Sequence, residues 1–205
     1  MRSIRNLFIA FFASVLLLTG CKSRSEPTKE LTQPPGSVTG AEQVVSLHEA
    51  ALNGDLNKVS LLLDRGCNPD TLDADGRTAP MYAAFNGHTT VLQKLIQRGA
   101  SVNACDVYGR TALMMAASGP YQEAVKLLLV NQADPNITDK EEHFSALLYA
   151  AAEGQMEVVK LLLAHNADPY LKDIDGDDAI TFANKNNHKE VAAVIQSSRD
   201  KYRKR

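Results

Sequence analysis

Apolar and polar positions recur along residues 44–197 in a phrase that returns at a fixed interval. Leu61-Leu62-Leu63 comes back as Lys94-Leu95-Ile96, Leu127-Leu128-Leu129, Leu161-Leu162-Leu163 and Val194-Ile195-Gln196, in steps of 33, 33, 34 and 33 residues. A second phrase keeps the same interval: Ala50-Ala51, Ala83-Ala84, Ala116-Ala117 and Ala150-Ala151, decaying to Ala183-Asn184. Such a period predicts a stack of repeated helical units in which each unit buries its apolar face against its neighbours. The paired alanines predict a first helix that another helix can approach closely. The leucine-rich phrase predicts a second helix with its apolar residues in the stack.

Breakers and caps mark the ends of these helices. Gly54, Gly87 and Gly154, with Pro120 and Asn187 in the other two copies, follow the alanine phrase. Thr78, Thr111, Ser145 and Asp178 stand where a side-chain oxygen can cap the first helix. Gly66, Gly99 and Asn166 sit near the end of the second helix, where a left-handed turn stops it. A turn with glycine follows at Asp73-Ala74-Asp75-Gly76, Asp106-Val107-Tyr108-Gly109 and Asp173-Ile174-Asp175-Gly176. The corresponding stretch from Asp139 to His143 holds one extra residue, so the third inter-repeat turn is expected to be longer.

This pattern resembles the ankyrin repeat over roughly residues 44–197, most closely from Asp73 through Asn103 and from Asp139 through Asp168. The resemblance implies an all-α solenoid of about five helix-turn-helix units with short inter-repeat turns or hairpins. The chain departs from the family in two places. The family's Pro is Ala79, Ala112, Ala146 and Ala179 here, with Pro80 one place late. The family's His survives as His48 and is replaced by Met81, Met114, Leu148 and Thr181. The His-centred hydrogen bonding between repeats is therefore not expected in those four units.

The resemblance also implies a binding module whose partner is another protein. In such arrays the turn tips and first helices line a concave face where partners dock. The tip positions are Ala74, Asp75 and Arg77, then Val107, Tyr108 and Arg110, then Glu141, Glu142 and Phe144, and finally Ile174, Asp175 and Asp177. The exposed ends of the first helices add Phe85 and its counterparts. Apolar residues in solvent-facing slots, with Arg beside aromatic rings, are typical of interface anchors. The expected protein-binding set is thus Arg77, Phe85, Val107, Tyr108, Arg110, Phe144 and Ile174, with inward folding of Phe144 as the alternative. Tyr82, Met115, Tyr149 and Phe182 replace the family's usual apolar residue and are expected in the core.

The N-terminus is a separate device. Arg2 and Arg5 precede an apolar run from Leu7 to Leu18, too short to span a bilayer comfortably. The run ends in Leu18-Thr19-Gly20-Cys21, which resembles the lipobox of bacterial lipoproteins. That resemblance implies a signal peptide over residues 1–20 and lipidation of Cys21. Lys22 after the lipidated Cys, where an Asp would retain a lipoprotein in the inner membrane, implies the outer membrane facing the periplasm. Residues 21–43 are polar, contain Pro34-Pro35-Gly36 and are expected to form a flexible tether. Its average span is about 26 Å. Residues 198–205 form a basic tail, with a solvated helix end as the plain expectation.

Composition narrows the function further. The net charge is −2 over 205 residues, and removing residues 1–20 takes away Arg2 and Arg5 and no acid, leaving about −4. That argues against nucleic acid as partner. No nucleophile–base set, metal-ligand spacing or phosphate-binding glycine loop occurs in the sequence. No cofactor, no metal and no catalytic residue are expected, and a monomer is. Asp173, Asp175, Asp177 and Asp178 are in the wrong register for a calcium loop. Cys67 and Cys105 lie in successive loops, where a disulfide is conceivable and two separate thiols are the plainer expectation. Bacterial lipoproteins of this design imply either an immunity protein that neutralises a secreted, lipase-like type VI toxin, or an envelope scaffold or stress accessory with a different protein partner.

Overall fold

The computed structural model describes residues 47–202. The leader, the lipobox with Cys21 and the tether all lie outside the described residues. Among the described residues are ten helices, arranged as five consecutive pairs. The first pair is α1 (47–52 of it described) and α2 (Leu56–Asp64). Next come α3 (Ala79–Phe85) with α4 (Thr89–Gln97), and α5 (Ala112–Ala117) with α6 (Gln122–Val130). The last two pairs are α7 (Ala146–Ala152) with α8 (Met156–Ala164), and α9 (Ala179–Lys185) with α10 (Lys189–Tyr202). The boundary expected at residue 197 falls inside α10, which continues to Tyr202.

Packing follows the two phrases of the repeat. First helices stack on first helices, α3 on α5, α5 on α7 and α7 on α9. Second helices form a parallel layer, α2 on α4, α4 on α6, α6 on α8 and α8 on α10. The alanine pairs Ala83-Ala84, Ala116-Ala117 and Ala150-Ala151 are buried between the layers, where any larger side chain would push them apart. Val59, Leu92, Leu95, Val125, Leu128, Val159, Leu162 and Ile195 fill the second layer at zero exposure. Each such side chain contributes about 1.5–3 kcal/mol on burial. Met115 and Tyr149 are buried as expected, while Tyr82 and Phe182 are half-buried.

Helix ends follow the breakers. Thr111, Ser145 and Asp178 accept hydrogen bonds from the backbone N–H of Met114, Leu148 and Thr181. Thr78 makes no such bond; the N–H of Met81 goes to the Thr78 carbonyl instead. After the second helices the chain turns left-handed at Gly66, Gly99, Gln132 and Asn166. Gln132 is the unexpected member, since an unbranched L-residue there gives up roughly 1–2 kcal/mol relative to glycine. At Gly87 the requirement is steric as well, because a Cβ would run into the ring of Tyr121.

Candidate functional site

Each inter-repeat turn is built on a buried or half-buried aspartate. Oδ1 of Asp73 accepts from the N–H of Asp75 and of Arg77, both at 2.8 Å. Asp106 does the same for Tyr108 and Arg110 at 3.0 and 2.8 Å. Asp139 accepts from Glu142 at 2.9 Å and Asp173 from Asp177 at 2.7 Å. The turn then closes through a left-handed residue, Gly76, Gly109 or Gly176, and His143 in the third. The Asp139 N–H reaches the Phe144 carbonyl, five residues on, whereas Asp73, Asp106 and Asp173 reach the fourth residue on. The third turn is therefore the longer one, and His143 takes the left-handed position that glycine holds elsewhere.

Neighbouring turns are joined in a ladder. The N–H of Val107 donates to the Asp75 carbonyl, that of Lys140 to Tyr108 and that of Ile174 to Glu142, at 3.0, 2.8 and 3.1 Å. Ala74, Val107, Lys140 and Ile174 thus form one row of side chains along the array. Asp75, Tyr108, Glu142 and Asp175 form the row beside it. Val107 is 52% exposed and Ile174 61%.

The residue after the left-handed position points inward, which corrects part of the expected binding set. Arg77 is only 4% exposed. It pairs with Asp75 at 2.7 Å and donates to the Tyr82 hydroxyl, which in turn donates to Oδ2 of Asp73 at 2.6 Å. Arg110 is half-buried, donates from Nε to Oδ2 of Asp106 at 2.9 Å and forms an ion pair with the same oxygen through Nη2 at 2.8 Å. Its guanidinium also lies over the Tyr108 ring, 4.6 Å from the centroid. Phe144 occupies the same slot and is 5% exposed, edge-on to Tyr149 at 5.3 Å and to Phe182 at 4.9 Å. Both arginines are committed to the turns that carry them, and Phe144 is core. The signal that separates this slot from the tip is legible in the sequence: Asp precedes Arg by four residues in Asp73–Arg77 and Asp106–Arg110.

Phe85 and Tyr108 are half-exposed. With Val107 and Ile174 they are the members of the expected set that present surface. Asn86, at the end of α3, is tied down: its amide donates to the Leu52 carbonyl at 2.7 Å, beside Nε2 of His88 at 3.0 Å. The acidic tip residues Glu141 and Asp175 are exposed and Glu142 half-exposed. They were expected at the tips but not in the protein-binding set.

Beneath the tips two tyrosine hydroxyls are held in their protonated form. Burial, together with the bond to Asp73, pushes the Tyr82 hydroxyl up to about 12. Burial and Asp139 raise the Tyr149 hydroxyl too, and it donates to Oδ2 of Asp139 at 2.8 Å. These hydroxyls stay protonated at neutral pH and serve as fixed donors. At the other side of each unit the loops are stapled by asparagine and aspartate. Asn103 accepts from Asp134 N–H and donates to the Gln132 carbonyl, and Asn136 does the same with Asp168 and Asn166. Asp70 accepts from the Ser101 N–H and hydroxyl. His48 donates from Nε2 to the Thr71 carbonyl at 2.9 Å, while Met81, Met114 and Leu148 are buried apolar residues in its place. Cys67 and Cys105 are separate thiols, and burial with the neighbouring Asp106 pushes the Cys105 thiol up, away from the reactive thiolate. Among the described residues no group of His, Cys, Asp and Glu could hold a metal ion.

Stacked helical pairs with a ladder of laterally projecting turns define a repeat-array binding module. The family model for ankyrin repeats (three copies) matches residues 47–139 and 118–204. The chain therefore belongs to the ankyrin repeat family, whose members are typically protein-interaction modules without catalysis of their own. None of the curated proteins compared with the chain matches it.

Proposed function

We propose that this chain is a lipid-anchored ankyrin protein of a bacterial envelope whose activity is to bind another protein. The observation that carries the binding is the ladder of turns. Its backbone is fixed by hydrogen bonds within and between units, so exposed side chains such as Val107, Tyr108 and Ile174 are held in place before a partner arrives. Pre-ordering of this kind spares the entropy that a loose loop gives up on binding. The domain has no hydrolase or transferase activity of its own in this proposal, since its sequence carries no nucleophile–base set.

The anchor rests on the leader and on Leu18-Thr19-Gly20-Cys21. In this proposal Cys21 carries the acyl chains, the tether follows it, and the array faces the periplasm from the outer membrane. A binder held near a membrane suits the capture of a protein that arrives in that compartment, which favours a neutraliser of a secreted toxin over a scaffold. The anchor is tested with Cys21→Ser, which should give an uncleaved precursor that takes up no labelled palmitate. Normal processing and fractionation of that variant would remove the lipoprotein proposal. Affinity capture with the domain beginning at Cys21, followed by co-expression with the recovered partner, tests the binding. Protection of cells from that partner supports neutralisation, and a harmless partner supports the scaffold.

A further inference from the structure

We infer that the turn tips of units three to five take a segment of a protein partner that carries aliphatic and cationic side chains together. This rests on the protein-binding function proposed above and adds the chemistry of the partner.

The sign of the surface is set by what the turns consume. Arg77 is spent on Asp75 and the Tyr82 hydroxyl, and Arg110 on Asp106 and the face of the Tyr108 ring. The acids left at the surface are Glu141, Glu142 and Asp175, whose side chains make no hydrogen bond or ion pair with another described residue. Lys140 is an exposed cation in the same stretch, and the carboxylates outnumber it. Beside them stand Val107 and Ile174, more than half exposed although their backbones are locked in the ladder. A β-branched side chain on a rigid backbone has little freedom to lose, so covering it returns most of its transfer free energy.

Two chemistries thus lie side by side: the exposed Val107 and Ile174, with Lys140 between them in the ladder, and the carboxylates of Glu141, Glu142 and Asp175. An anionic lipid surface or an acidic peptide has the wrong sign. A purely cationic chain would leave Val107 and Ile174 uncovered. A segment with Lys or Arg next to Val, Leu, Ile or Phe meets both the carboxylates and the two exposed aliphatic side chains. Its association should be steered by charge and weakened by salt.

The test is selection of a phage-displayed random peptide library on the full chain, followed by affinity measurements on the synthesised winners. Enriched peptides should carry net positive charge with aliphatic or aromatic neighbours. Their affinity should fall about tenfold or more in Glu141→Lys with Asp175→Lys, and equally in Val107→Ser with Ile174→Ser. The thermal midpoint should be unchanged in both, because none of the four side chains supports the fold. Neutral or acidic winners, no winners, or winners that bind all variants equally would overturn the inference. Winners insensitive to the tips would still leave the chain a protein-binding module acting through another face, so the two failures are distinguishable.

Discussion

At the scale of single residues, the first-helix caps differ in a way that their shared position hides. Thr111 caps Met114, but the Thr78 hydroxyl is buried and makes no hydrogen bond with a described residue. The local difference is Pro80 in the first turn of α3, where α5 carries Leu113. An unsatisfied buried hydroxyl costs about 1–3 kcal/mol. Thr78→Val, which keeps the shape, should therefore leave stability unchanged or raise it by up to about 1 kcal/mol. The same change at Thr111 should cost about 0.5–2 kcal/mol. Urea titration of the two variants checks this, and equal losses would show that Thr78 is satisfied after all. His48 gives a pH prediction. Burial holds its ring below the ordinary 6.5, outweighing the Thr71 carbonyl and the charge of Asp73, with the Tyr82 ring packed 5.5 Å away. The unfolded chain therefore binds the proton more readily. Stability should be full above pH 6.5 and fall as pH drops from there toward the folded value, by at most about 1.4 kcal/mol per pH unit. His48→Gln keeps a donor for Thr71 and should flatten that slope. Parallel slopes in wild type and variant would assign the acid loss to other groups.

At the scale of elements, helices and turns answer to different parts of the sequence. Leu128 in α6 has no exposure and packs in the second-helix layer. Leu128→Ala should cost about 2–5 kcal/mol, through lost transfer energy and the cavity left behind. Val107→Ser at a tip should stay within about ±0.5 kcal/mol. Thermal melts of the two variants separate the roles, and a tip variant as destabilised as the core variant would mean that the ladder is part of the fold's support. The helices were legible because their alanine and leucine phrases repeat in phase and burial has to follow phase. The longer third turn was legible from the count of residues between Asp139 and His143. The direction of side chains within a turn was not. Arg77, Arg110 and Phe144 sit at positions that a pattern of tips makes solvent-facing, yet the left-handed residue before each of them swings the chain back toward the helices. An aspartate below the turn then draws in an arginine, and in the third turn Tyr149 takes the aspartate while Phe144 fills the space against Phe182. Three of the seven expected contact residues are thus turned to the interior by one backbone feature, and what they vacate is an acidic surface.

At the scale of the whole molecule, an array of this kind is only as closed as its ends, because a terminal unit has one neighbour. The fifth unit compensates with its last helix. Arg199 pairs with Asp178 at 2.7 Å, donates from Nε to the Pro169 carbonyl at 3.0 Å and lies 4.8 Å from the centre of the Tyr170 ring. It was expected in a solvated basic tail, and it is instead a clamp between α10, the preceding loop and the cap of α9. Burial alone would raise the Asp178 carboxyl, but the bonds from Thr181 and Arg199 outweigh it and hold it below its ordinary value. That carboxylate also caps α9 through the Thr181 N–H at 2.9 Å. Removing the guanidinium leaves a partly buried charge without its counter-ion and loosens the cap at the same time. Arg199→Ala should therefore raise amide hydrogen exchange in α9 and α10 by about tenfold, corresponding to roughly 1.4 kcal/mol of local opening. Amides of α3 to α6 should keep their wild-type rates, because in a nearest-neighbour array the loss is confined to the end that bears it. A uniform rise along the array would mean that the five units open as one body, and no rise in α9 and α10 would mean that the apolar contacts of Val191, Ala192 and Ile195 close the end by themselves.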